Sequence, residues 1–148
     1  VSLLRRSGAQ ALQALLELAQ NPKGWHSVQS IASAQQLPAP MLEQLLLQLR
    51  RAGLVEARRG RLGGYRLQRA PAQISVAEVL RAVGAELELE TGGNATDDQA
   101  EHQVLRNMTL RLQRALEREL AQFNLEELLY DLRSTQQCLS DEGGLMTG

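Results

Sequence analysis

One stretch of this chain resists a helical reading and so constrains everything around it. Leu54-Val55-Glu56-Ala57-Arg58 and Tyr65-Arg66-Leu67 are two short extended runs, and between them lies the tip Arg59-Gly60-Arg61-Leu62-Gly63-Gly64. Such runs around a glycine-rich tip read as a β-hairpin whose loop is longer than the tightest two-residue turn. The rest of the chain is built for helices. Trp25, Tyr65, Phe123 and Tyr130 are its only aromatics, and Leu and Ala supply most of the apolar mass. Strands favour β-branched and aromatic side chains, so this composition points to a mainly α fold around one small hairpin. At 148 residues and 43% apolar content there is enough chain for one core plus an oligomerisation element.

Upstream of the hairpin the spacing predicts three helices. Leu4, Ala11, Leu12, Leu15, Leu16, Leu18 and Ala19 recur at helical intervals over 3–20, and Asn21-Pro22-Lys23-Gly24 stops the run. Trp25-His26 reads as a short extended piece, with His26 a packing or turn residue. Ser27 is the N-cap of a second helix carrying Val28, Ile31 and Ala32. After the turn Gln35-Gln36-Leu37-Pro38, a third helix opens near Pro40 and runs to about Ala52. Its Leu42, Leu45, Leu46 and Leu49 form one buried stripe, Arg50 and Arg51 suit its C-terminus, and Gly53 supplies the left-handed stop.

Downstream, Ser75 and Glu78 form a capping box for a helix reaching Val83. Residues 91–99 are polar and read as a mobile loop. A long helix over about 99–122 carries Val104, Met108, Leu112, Ala115, Leu116 and Leu120 as an apolar stripe near the period of a coiled-coil seam, which calls for a partner. Asn124 caps a short last helix with Leu125, Leu128, Leu129 and Leu132, and the Gly- and acid-rich end reads as a disordered tail. The expected organisation is a DNA-binding unit over 1–74, a helical dimerisation region over 75–133 and a tail over 134–148.

The charge is divided. Residues 1–74 hold ten Arg/Lys against three Asp/Glu, and residues 75–148 hold six against fourteen. A basic half binds polyanions by releasing their counterions, and an acidic half is repelled by the same surface. The single Cys138 excludes an intrachain disulfide framework and suggests a reducing, cytoplasmic setting. No run of about 18 apolar residues is present to span a membrane, and Val1–Arg6 predicts no secretory signal. Catalysis is disfavoured: no nucleophile–base constellation stands at readable spacing, and the 60–64 glycines lack the Lys-Ser/Thr of a phosphate-binding loop.

Helix, helix, turn, helix and basic hairpin make up the order of a winged helix-turn-helix. With the Leu stripe buried, Met41, Glu43, Gln44, Leu47, Gln48 and Arg51 face outward on the third helix, which has the size of a major groove. Gln can read adenine and Glu can accept from cytosine, while Arg59 and Arg61 on the glycine loop suit a phosphate rail or a narrow minor groove. The competing reading is a winged-helix module that binds protein instead of DNA.

The stretch Met41-Leu42-Glu43-Gln44-Leu45, then Leu49-Arg50-Arg51-Ala52-Gly53-Leu54-Val55, Arg59-Gly60 and Gly63-Gly64-Tyr65-Arg66-Leu67, resembles the IscR/NsrR/CymR-type winged-helix regulators. Ile74, Glu78, Val79, Leu80, Ala82 and Val83 match that pattern's continuation, and the likeness spans roughly 3–132. The resemblance implies a homodimer crossed through the long helix and bound to an imperfect palindrome of double-stranded DNA; the apolar stripe offers Val104, Met108, Leu112 and Leu116 as its dimerisation residues. By position it assigns DNA contacts to Arg5 or Arg6, to Glu43 and Gln44, and to Arg59, Gly60 and Arg61. Many members hold an iron–sulfur cluster on three cysteines leading into the long helix. Here the corresponding segment, 90–103, has none. Clusters need thiolates, so no cofactor is expected. Asp97, Asp98, Glu101 and His102 read as an acidic helix start, favoured by the helix dipole, over a metal set. The expected regulator senses a signal that the sequence leaves unidentified.

Overall fold

The computed structural model describes residues 4–90 and 99–146. The elements in order are α1 (Arg6–Gln20), α2 (Val28–Gln35), α3 (Ala39–Arg51), β1 (Val55–Arg58), β2 (Gly64–Leu67), a 3-10 turn (Pro71–Gln73), α4 (Val76–Ala82), α5 (Ala100–Gln122) and α6 (Leu125–Met146). The fold is mainly helical with one antiparallel hairpin, the winged helix-turn-helix that the spacing predicts.

Helix α1 lies at the centre and packs against α2, α3, α4 and α6. Its apolar residues fall on one face, so Ala11, Leu12, Ala14, Leu15, Leu18 and Ala19 are all buried. Ile31 of α2, Leu42, Leu45, Leu46 and Leu49 of α3, Leu54 and Val55 at the hairpin's root, and Val79 and Leu80 of α4 close the same core. No buried polar or charged residue interrupts it among the described residues.

Local chemistry sets the element ends. Ser27 Oγ accepts from the Ser30 amide at 3.1 Å and caps α2. Gln36 takes a left-handed conformation (φ 54°) that turns the chain from α2 into α3. Gly53 does the same after α3 (φ 77°) and sends the chain into β1. Ser75 and Glu78 form the capping box of α4: the Glu78 amide donates to Ser75 Oγ at 3.2 Å, and the Ser75 amide donates to Glu78 Oε2 at 3.1 Å. Arg69 Nη2 also donates to Glu78 Oε1 at 3.1 Å. That arrangement holds the Glu78 carboxyl below its ordinary pKa, first through the Ser75 backbone bond, with burial opposing and Arg69 assisting.

The two carboxyl-terminal helices join the core at one clamp. Val76 N–H donates to Phe123 O at 2.8 Å and Leu125 N–H donates to Ile74 O at 2.9 Å, while Asn124 Oδ1 caps α6 at the Glu127 amide (2.9 Å). Gln113 of α5 binds the irregular segment after α4 twice: its Nε2 donates to Leu87 O and its Oε1 accepts from the Leu89 amide, both at 2.8 Å.

Two sequence expectations change here. Helix α6 is not short, and the tail expected over 134–148 is helical as far as Met146. Arg133, Gln136, Gln137, Leu139 and Glu142 are straight-chain or strong helix formers, and they outweigh Gly143 and Gly144 in setting the local preference. The apolar stripe of α5 also divides: Leu120 packs on the core, whereas Val104, Met108 and Leu112 stand exposed. The loop expected over 91–99 falls, Gln99 excepted, outside the described residues, as do Asp97 and Asp98.

Candidate nucleic-acid interface

Helix α3 separates its sequence into two faces. With Leu42, Leu45, Leu46 and Leu49 buried, Glu43, Gln44, Gln48 and Arg51 are exposed together on the outer side. Met41 behaves differently from the expectation: it is half-buried and packs on the core, so it stands at the edge of this face. Leu47 is also half-buried.

The hairpin follows directly. Its register pairs Val55 with Leu67, Glu56 with Arg66, Ala57 with Tyr65 and Arg58 with Gly64. Val55 and Leu67 are buried and anchor one end in the core, while Arg59, Gly60, Arg61 and Leu62 form an exposed tip. Leu62 is 81% exposed at the end of the tip. The tip is tied back on itself, since Gly63 N–H donates to Gly60 O at 3.0 Å and Arg58 Nη2 donates to Leu62 O at 2.6 Å. Among the described residues the ion pairs are Arg66–Glu56 and Arg69–Glu78. Among these residues no carboxylate pairs with Arg59 or Arg61.

A third extended piece borders the hairpin. His26 and Tyr65 exchange both backbone bonds, at 2.9 and 2.8 Å, which makes Trp25-His26 the expected short extended segment. A Cβ on Gly64 would lie 2.3 Å from His26 O, and Gly64 has φ +142°, so only glycine suits this crossing. The His26 ring lies 3.0 Å from Asn21 O through Nε2, the turn role that the sequence suggests. Beside it, the guanidinium carbons of Arg58 and Arg66 sit 4.6 and 4.3 Å from the Trp25 ring centroid. Sequence reasoning missed this stack. The available signal was the strand period: Glu56, Arg58 and Arg66 share one face of the hairpin.

Arg5 and Arg6, at the start of α1, are both exposed, and Arg5 Nη1 donates to Gly84 O at 3.4 Å. Arg5 is thus tethered near the end of α4, apart from the wing's own bonds. On α5, Val104 is 66% exposed and Met108 and Leu112 are about half exposed, whereas Leu116 is half-buried. In the single chain none of the helix's 23 residues is buried.

The donor set around the start of α5 does not suit a thiolate-held cluster. Glu90 and Glu101 are exposed, the segment 90–103 contains no cysteine, and Cys138 is exposed on α6. Among the described residues no three His, Cys, Asp or Glu side chains converge as metal ligands. No described helix is long and apolar enough to cross a membrane.

Comparison with known proteins agrees with this geometry. The Rrf2 family model, described as "Iron-dependent Transcriptional regulator", matches residues 4–131. A Synechocystis protein named as an HTH-type transcriptional regulator is 43% identical over 129 residues, covering 85% of this chain and 86% of its own. IscR of Cereibacter sphaeroides is 41% identical over 97 residues, 63% of each chain. Among solved structures, T. potens IscR superposes with a TM-score of 0.72 at 33% identity, covering 89% of both chains. CymR, titled the global cysteine regulator of B. subtilis, gives a TM-score of 0.72 at 30% identity over 85% of this chain and 95% of that one.

Proposed function

This chain belongs to the Rrf2 family, and from that premise we propose how a transcription regulator of this kind holds its DNA. It is a DNA-binding transcription regulator and not an enzyme. In our reading, α3 enters the major groove and offers Glu43, Gln44 and Gln48 to base edges, with Met41 at the margin. Arg51, Arg59 and Arg61 meet phosphates or the adjoining minor groove, the Gly60 backbone approaches closely, and Arg5 and Arg6 add contacts at the start of α1. The observation that carries this reading is the wing tip, where Arg59 and Arg61 stand exposed with no carboxylate partner among the described residues, in the hairpin that directly follows the groove-sized helix α3.

The protein works as a homodimer in this proposal. A helix of 23 residues with nothing buried has its apolar side unsatisfied, and a second copy of α5 covers Val104, Met108, Leu112 and the flank of Leu116. Two-fold symmetry then calls for an imperfect palindrome with half-sites about one helical turn apart, or a multiple of it. The regulator acts where the DNA is, in the cytoplasm, and answers a signal other than a thiolate-bound iron–sulfur cluster.

Selection of bound fragments from genomic DNA tests the reading. The expected outcome is enrichment of two inverted half-sites at a fixed spacing. Recovery of fragments without a shared motif, or of single half-sites only, contradicts it. Protein prepared without oxygen serves the cofactor question: the expected spectrum lacks the visible charge-transfer bands of a cluster, and stoichiometric iron with such bands overturns that part.

A further inference from the structure

We infer that Trp25 is the strut that sets the angle of the wing, and that Arg58 and Arg66 are engaged in holding it while Arg59 and Arg61 are left to meet DNA. The inference rests on the hairpin being the DNA-contacting wing and refines how that wing is built.

The guanidinium carbons of Arg58 and Arg66 lie 4.6 and 4.3 Å from the Trp25 centroid, inside the ~6 Å over which a cation is attracted to a ring face. The two cations come from different strands. Because Arg58 pairs with Gly64 and Glu56 with Arg66, the side chains of 56, 58 and 66 stand on one face of the hairpin, and the missing side chain at Gly64 lets the His26 backbone pass close beside it. Each arginine has a second attachment. Arg66 is ion-paired to Glu56, and Arg58 donates to Leu62 O within the tip at 2.6 Å. A continuous set of contacts therefore runs from Trp25 through Arg58 to the loop that carries Arg59 and Arg61.

The same ring is fixed to the recognition unit. Trp25 is half-buried, the next residue exchanges two backbone bonds with Tyr65, and the one after it, Ser27, caps α2. Residues 25–27 thus couple the hairpin to the helix pair that carries α3, with the close approach at Gly64 as their contact point. The consequence of the strut is pre-organisation: a wing already at the groove angle loses less freedom on binding, and a loosened one delivers its arginines rarely.

Trp25 is the chain's single tryptophan, so its emission reports on the stack directly. In the DNA-free full-length protein, Arg58→Ala with Arg66→Ala is expected to shift that emission while leaving α1–α4 helicity intact by circular dichroism. With DNA, Trp25→Ala is expected to bind roughly tenfold more weakly at ~0.15 M salt and to flatten log K against log salt by about one unit per lost phosphate contact. Base preference at the positions read by Glu43 and Gln44 should persist, and Trp25→Phe, which keeps a ring for the cations, should restore most of the slope. A partly unfolded population would lower the amount of competent protein but leave the slope of the remainder unaltered. An unmoved emission in the arginine double variant, or a wild-type slope in Trp25→Ala, overturns the strut. If wild-type protein itself binds without salt dependence, the wing reading fails instead, and the emission shift still decides the stack.

Discussion

The two ends of this molecule reach their stability in different ways. In the amino-terminal unit every helix finds its cover within the chain: α1 buries seven of its fifteen residues and α3 buries its four-leucine stripe. Helix α5 is longer than either and buries none, and α6 keeps Leu125 and Leu129 buried near its start but exposes Tyr130 and Leu139. The charges divide at the same place, with a basic excess before residue 75 and an acidic one after it. The lesson is that the first region is complete in one chain and turns its spare charge toward a polyanion. The second leaves an apolar side uncovered in one chain, as the proposed dimer requires, and its acidity would be repelled by that polyanion.

This contrast can be broken at either end. The largest effect is expected in the core, where Leu46→Ala should cost about 2–5 kcal/mol of unfolding free energy in a denaturant titration because a fully buried side chain leaves a cavity. A loss under about 1 kcal/mol would show that the amino-terminal unit is looser than its burial implies. Leu112→Asp should leave that unit folded while converting the dimer into monomers by light scattering. An unchanged mass would place the seam elsewhere. Gln44→Ala should relax base preference at one position of each half-site by about 1–3 kcal/mol, read in a binding-site selection, with fold stability unaltered since Gln44 is exposed.

The smallest effect concerns Glu78. Its carboxyl titrates below the ordinary value in the folded protein, so its contribution to stability is present above the unfolded carboxylate pKa and is lost as pH falls through the depressed one. Glu78→Gln should therefore lower stability at neutral pH by under about 1 kcal/mol, discounted for partial exposure, and reduce the acid-side slope. An acid limb that is identical in both proteins would assign that stability to other groups.

Much of this was legible in the sequence because it depends on neighbours along the chain. The Leu42–Leu49 stripe, the Ser75–Glu78 box, the Ser27 and Asn124 caps and the Arg59–Gly64 tip are all local patterns, and each appears where its spacing puts it. What escaped depends on distant packing or on competing preferences. Trp25 meets Arg58 and Arg66 only after the hairpin register and the His26–Tyr65 crossing are set. Met41 has helical spacing suited to the outer face, yet it leans onto the core. The α5 stripe reads as continuous, but the clamp at Phe123 and Leu125 turns Leu120 inward and leaves the earlier residues outside. In α6, two glycines suggested an end that the surrounding helix formers override.

Salt dependence of operator affinity, compared between the wild type and Arg59→Ala/Arg61→Ala, tests the central claim most directly. The account predicts a steep fall of log K with log salt for the wild type and a slope shallower by about two units in the double variant, one for each phosphate contact removed. Equal slopes and equal affinities in the two proteins would contradict it, because the wing's cations would then be shown to lie away from the nucleic acid.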